Sequence, residues 1–104
     1  MANYINEIQI AIYKNLKPQF TLRFKKTKDG IIHGYAMRNE KKIGSIYGIY
    51  KENNLCFTRT WKTISESYYF LDNVDEKSDF FGHCLNNNTG EINEARGKFK
   101  LIKN

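Results

Sequence analysis

Over much of this chain, large apolar side chains recur at every second position, with charged or hydroxyl-bearing groups between them. Residues 55–63 show this best. Leu55, Phe57, Arg59 and Trp61 share one parity, and Cys56, Thr58, Thr60 and Lys62 share the other. Successive side chains of a β-strand take opposite faces, so the segment reads as a strand with one covered face and one wet face. Phe20, Leu22 and Phe24 alternate with Thr21, Arg23 and Lys25 in the same way. Residues 31–38 put Ile31, His33, Tyr35 and Met37 on one side. Residues 43–50 set Ile43, Tyr47 and Ile49 opposite Gly44, Ile46, Gly48 and Tyr50. Apolar stretches at 68–71, 79–86 and 91–102 predict three more strands.

Turn chemistry separates these runs. Asp29-Gly30 accepts the positive φ that hairpins demand, and residues 39–42, 52–54, 73–78 and 86–90 are polar and rich in asparagine, glycine or charge. Residues 4–16 fit two templates. Ile5, Ile8, Ile12 and Leu16 form a helical stripe, whereas Ile8, Ile10 and Ile12 form a strand face. The isoleucines and tyrosines lean towards strand, and Pro18 ends the element because the residue before a proline avoids the α region. Gly34, Gly44 and Gly48 inside strands fit a strongly curved sheet. Strands joined by tight turns are antiparallel neighbours. The expected fold is therefore all-β, a single antiparallel up-and-down barrel of about eight strands formed by residues 1–104, with the first segment as strand or helix.

Composition narrows the class. The chain has 104 residues, is 40% hydrophobic and 27% charged, which suits one globular domain with one core. No apolar run approaches the ~20 residues that span a bilayer. The N-terminal residues lack the basic and apolar regions of a secretory signal, so a cytoplasmic protein with no membrane association is expected. The two cysteines, Cys56 and Cys84, are then thiols in a reducing compartment. The net charge of +6 favours acidic partners, whether protein, nucleic acid or a phosphorylated ligand. Basic residues cluster between Lys14 and Lys28, and acidic ones between Asp72 and Asp79.

At motif level, Phe57-Thr-Arg-Thr-Trp61-Lys62, then Ser65-Glu-Ser67, then Phe80-Phe-Gly-His-Cys84 resemble the central strands of the avidin and streptavidin family. Asp29-Gly30 through Gly34-Tyr35 resembles that family's turn into its next strand. The resemblance implies a calycin-type barrel with biotin as ligand and assembly through barrel faces. It implies Trp61 and Phe80 as aromatic pocket walls, Ser65 and Ser67 as hydrogen-bonding groups, and Phe99 in place of a late tryptophan. In the family's first-strand motif only Asn15, within Tyr13-Lys-Asn15, is kept.

The residues themselves offer little for catalysis. His33, His83, Cys56 and Cys84 lack metal-ligand spacing. Nucleophile elbows, phosphate loops and dinucleotide fingerprints do not occur, so no enzyme and no intrinsic cofactor are expected. Arg59 stands out because it shares the covered face of Phe57 and Trp61. An arginine there must be paired or must reach an anion. The expected function is non-enzymatic binding of a small, anionic or planar ligand in the barrel mouth, with Trp61, Arg59, Ser65, Ser67, Phe80, Tyr35, Tyr47, Asn15 and Phe99 as the candidate site. Two other readings stand beside it. One is a small interaction module, of inhibitor, immunity or anti-defence type, with an acidic protein partner. The other is a single-strand nucleic-acid binder using aromatic stacking on a basic surface. A hollow barrel with Arg59 and Trp61 inside favours the small ligand. A barrel filled by phenylalanine and isoleucine, with charge outside, favours the protein partner.

Overall fold

In the computed structural model, which describes residues 7–100, eight strands close into one antiparallel barrel in the order of the chain. They are β1 (Ile8–Lys14), β2 (Lys17–Lys26), β3 (Ile31–Arg38), β4 (Lys41–Lys51), β5 (Asn54–Trp61), β6 (Ile64–Phe70), β7 (Phe80–Asn86) and β8 (Ile92–Phe99). Each pairs with its neighbour in sequence, and β1 pairs with β8, Ile10 opposite Phe99 and Ile12 opposite Gly97. Residues 8–14 are thus strand rather than helix: the alternation of Ile8, Ile10 and Ile12 toward the core won over the helical stripe. The Ile5 end of that stripe lies outside the described residues.

Three hairpins turn on two residues that both hold positive φ: Asn15 and Leu16, Asn39 and Glu40, and Glu52 and Asn53. That backbone is the one whose twist matches the flanking strands. An asparagine in each pair tolerates the left-handed region better than most residues.

The interior is filled. Phe57 and Tyr68 stack at 4.8 Å, and Phe20 meets Tyr68 edge-on at 5.7 Å. Phe70 and Phe80 make a further edge-to-face pair at 5.0 Å, with Phe99 beyond. Ile10, Ile12, Leu22, Ile32 and Leu55 complete the packing, all fully or almost fully buried. Glycines on the inner face make room for these rings. A Cβ on Gly97 would lie 2.3 Å from the Phe80 ring, and one on Gly48 would lie 2.0 Å from the Cys56 carbonyl oxygen. The connection between β6 and β7 folds Val74 over one end, where its amide donates to the Asn53 carbonyl and Asn53 Nδ2 donates back to the Val74 carbonyl. Val74 is buried there as part of the core.

Candidate functional site

The opposite end of the barrel holds the charged group that the alternation of β5 placed inside. Arg59 is buried, and its Nε donates to Glu66 Oε1 at 2.9 Å. Its Nη1 donates to the Ile43 carbonyl, and its guanidinium lies over the Phe20 ring at 5.4 Å. Glu66 faces it from the paired position on β6. Its other oxygen accepts from Lys14 Nζ at 3.2 Å, and Oε1 also accepts from the Tyr68 hydroxyl at 3.2 Å. Burial alone would push the Glu66 carboxyl up. The Arg59 and Lys14 charges and hydrogen bonds outweigh burial and hold it below the usual carboxylate range. Burial pushes the Tyr68 phenol strongly up, with Cys84 and Glu66 beside it acting in the same direction.

Arg59 therefore has its counter-charge within the chain. Glu66, which provides it, and Lys14, the second cation on the same carboxylate, escaped the sequence reading. Glu66 sits between two serines in a segment without apolar alternation, and Lys14 looked like one more member of a basic run. The one signal was parity: Arg59 needed an anion, and a strand paired with β5 had to supply it.

The remaining candidates are dispersed. Phe80 is fully buried and Phe99 packs against it, so both are part of the filled core. Trp61 stands at the end of β5, 36% exposed, with Lys62 Nζ 5.5 Å above its ring. Asn15 is in the β1–β2 turn, where its Nδ2 donates to Asn93 Oδ1. Ser65 and Ser67 lie on the outer wall. Asn87 Nδ2 donates to both hydroxyls, and Ser67 also bonds the Thr58 hydroxyl at 2.9 Å. Tyr35 is on the outside of β3, between Lys42 at 4.6 Å and Arg23 at 5.8 Å. Tyr47 is on the outside of β4, 63% exposed. The structure thus brings Ser65, Ser67, Tyr35 and Tyr47 onto one outer wall, and separates from them Trp61 at the end of β5, the buried Arg59 and Asn15 in the β1–β2 turn. Cys56 on the outer wall and Cys84 in the core are both free thiols, and burial pushes both up.

The outer wall has a feature of its own. The strand registers align Ile31, Ile49, Cys56, Tyr69 and His83 in one row across β3 to β7. The next row is His33, Tyr47, Thr58, Ser67 and Leu85. Neither row contains a lysine, arginine, aspartate or glutamate, although 27% of the chain is charged. Ile31 (40% exposed), Tyr47 (63%), Ile49 (48%), Tyr69 (42%) and neighbouring Phe81 (53%) all face out. At roughly 200 Å² for a large side chain, they present together about 500 Å² of mostly apolar surface. That is near the upper end of the largest patch on a typical monomer, roughly 300–600 Å².

Among the described residues, no group of three or more His, Cys, Asp or Glu side chains is arranged to hold a metal ion, and no helix is long and apolar enough to cross a membrane. Comparison with protein-family models, curated proteins and solved structures finds no match to this chain.

Proposed function

We propose that this is a non-enzymatic binding protein that engages a protein partner with its outer wall. The observation that carries the reading is the filled interior: Phe20, Phe57, Tyr68, Phe70, Phe80 and Phe99 occupy the space a barrel ligand would take. Arg59, the residue best suited to hold a ligand anion, is neutralised by Glu66. What the wall does expose is broad, uncharged and rich in aromatics, the composition typical of the centre of an interface.

A second reading keeps a small ligand at the rim, where Trp61 is the accessible aromatic; biotin is the ligand that the avidin resemblance implies. One titration separates the two. Trp61 is the sole tryptophan, so its fluorescence has one source. Biotin, mono- and cyclic nucleotides and fatty acids are expected to leave it unchanged. Saturable quenching by any of them would overturn the outer-wall reading.

A further inference from the structure

We infer that the outer face of β1 to β3 is a second binding surface, and that it takes single-stranded nucleic acid. The inference is independent of the protein-binding reading, whose surface is the pair of uncharged rows across β3 to β7. It starts from the basic run between Lys14 and Lys28, which the barrel divides. Lys14 goes to Glu66 and Lys26 lies over the Tyr50 ring, whereas Arg23 and Lys25 point outward from β2.

Other strands add to them. The registers set Lys98, Ala11, Thr21, Met37 and Lys42 in one row across β8, β1, β2, β3 and β4. A lysine thus closes each end of an uncharged floor. Lys100 reaches over this floor, its Nζ donating to Thr21 Oγ1 at 3.3 Å. Arg38 borders it from the end of β3, with its Nε donating to the Gln19 carbonyl at 2.6 Å. The floor is the bottom of a shallow groove with Tyr13 on one flank, and Tyr35 stands beyond Met37 on the other, Lys42 Nζ 4.6 Å from its ring.

Acids are fewer here. Glu7 is held by Arg23 at 2.8 Å, and Glu40, in the β3–β4 turn, lines the groove. Glu76 and Asp79 lie on the far side of Lys98, and Glu94 is further along β8, beyond Arg96. Among the described residues, none of Arg38, Lys42, Lys98 and Lys100 is in an ion pair.

The layout selects a strand of nucleotides. From Lys98 to Lys42 the row crosses four strand spacings, about 19 Å at ~4.8 Å each. The cations are therefore spread along a line, as successive phosphates require, and not gathered around one point as for a lone phosphate. Between them lie Ala11, Met37, the Thr21 methyl and the two tyrosines, surface suited to bases. Cations for the backbone beside aromatic faces for the bases is the combination single-strand binders use. A duplex keeps its base faces stacked inside and would leave the floor and the tyrosines without partners.

The test measures fluorescence anisotropy of labelled oligo(dT) and oligo(U) of about 12 nucleotides with the intact protein. The expected result is saturable binding with a slope of log K against log salt of about −3, four phosphates at ~0.7 each. That is a loss of about fifty-fold between ~50 and ~200 mM salt. Lys42→Gln/Lys98→Gln is expected to halve the slope to about −1.4. Tyr35→Leu is expected to weaken binding about fivefold or more, the lower end for loss of one stacked base, with the slope kept. Lys51→Gln/Lys62→Gln removes the same charge away from the groove and is expected to change affinity less than about twofold, against the larger loss that each groove lysine's phosphate gives.

Absence of binding at the lower salt overturns the inference, and so does a control pair that weakens binding as much as Lys42→Gln/Lys98→Gln. A duplex of the same length that binds as tightly assigns the face to backbone charge alone and overturns the single-strand reading. Displacement of the oligonucleotide by poly-glutamate at equal charge assigns it to an acidic polypeptide and overturns it too. Each of these outcomes leaves the reading of the uncharged rows as it stands. Circular dichroism and urea midpoints check that the variants fold.

Discussion

Arg59→Met tests whether the buried charges form a closed electrostatic unit. In the native barrel the Arg59 and Glu66 side chains are about as buried as each other, 10% and 9% exposed, and 2.9 Å apart. Replacing Arg59 leaves Glu66 in a low-dielectric site with the partly exposed Lys14 and the Tyr68 hydroxyl. Breaking a buried pair from one side costs about 3–5 kcal/mol. Lys14, 3.2 Å from the second carboxylate oxygen, keeps part of the compensation, so we expect the lower end, about 3 kcal/mol. Glu66→Leu strands both Arg59 and Lys14 and is expected to cost at least as much. The double variant Arg59→Met/Glu66→Leu removes the pair and its desolvation together, and is expected to be more stable than either single variant. The assay is urea unfolding at pH 7, read as a double-mutant cycle. Additive single effects, or an Arg59→Met cost under about 1 kcal/mol, the range of an exposed pair, would refute the reasoning.

The same group sets an acid limb. The folded Glu66 pKa lies below its unfolded value. Its contribution is therefore complete above the unfolded carboxylate value of about 4.3 and is lost as pH falls through the lower folded value. Glu66→Gln is expected to flatten the decline in urea midpoint below about pH 4, and an unchanged acid limb would show that other carboxylates govern it. Gly48→Ala puts a Cβ 2.0 Å from the Cys56 carbonyl oxygen and is expected to cost about 3 kcal/mol. Gly90→Ala meets nothing within 4 Å and bears only the strain of φ +82, about 1 kcal/mol; equal urea midpoints for the two would refute the close approach of β4 and β5. Oxidising conditions are expected to leave the melting temperature unchanged, because Cys56 and Cys84 lie on opposite faces of the wall; a disulfide in non-reducing mass spectrometry of the native protein would contradict that. Acrylamide is expected to quench Trp61 readily in the native state, as befits a ring at the rim; strong protection would place it inside.

The fold was legible because its signals are local. Alternation within most runs and asparagine or glycine at every turn but Lys62-Thr63 were enough to outline the strands and their antiparallel order. Residues 31–38 came out with the bounds the structure has. The sixth strand was the weakest, expected at 68–71 and found at Ile64–Phe70. Its first half reads Ile-Ser-Glu-Ser, where the inward residue is a carboxylate and the outward ones are serines, so apolar alternation is absent. The site was less legible for a different reason. Side-chain size suggested that Tyr35 and Tyr47 belong with the ligand, yet on β3 and β4 the inward parity is held by Ile32, Gly34, Ala36, Ile46 and Gly48. Small inner residues on one side of the barrel let the rings of the other side fill it. That reciprocity is long-range and does not show in any single window. The uncharged wall is likewise a property of register, since its rows are assembled from five strands.

Closure through β1 and β8 has a bearing on how the protein is made. Seven of the eight pairings join neighbours along the chain and can form as hairpins while the chain emerges from a ribosome. The eighth, Ile10 against Phe99, waits for the last strand. Until then β1 keeps one unpaired edge, with Ile8, Ile10 and Ile12 beside it, and such an edge invites pairing with another nascent chain. Final closure of the barrel is therefore a late event that depends on β8, and slowed or truncated synthesis would leave an adhesive intermediate where rapid release leaves a sealed barrel.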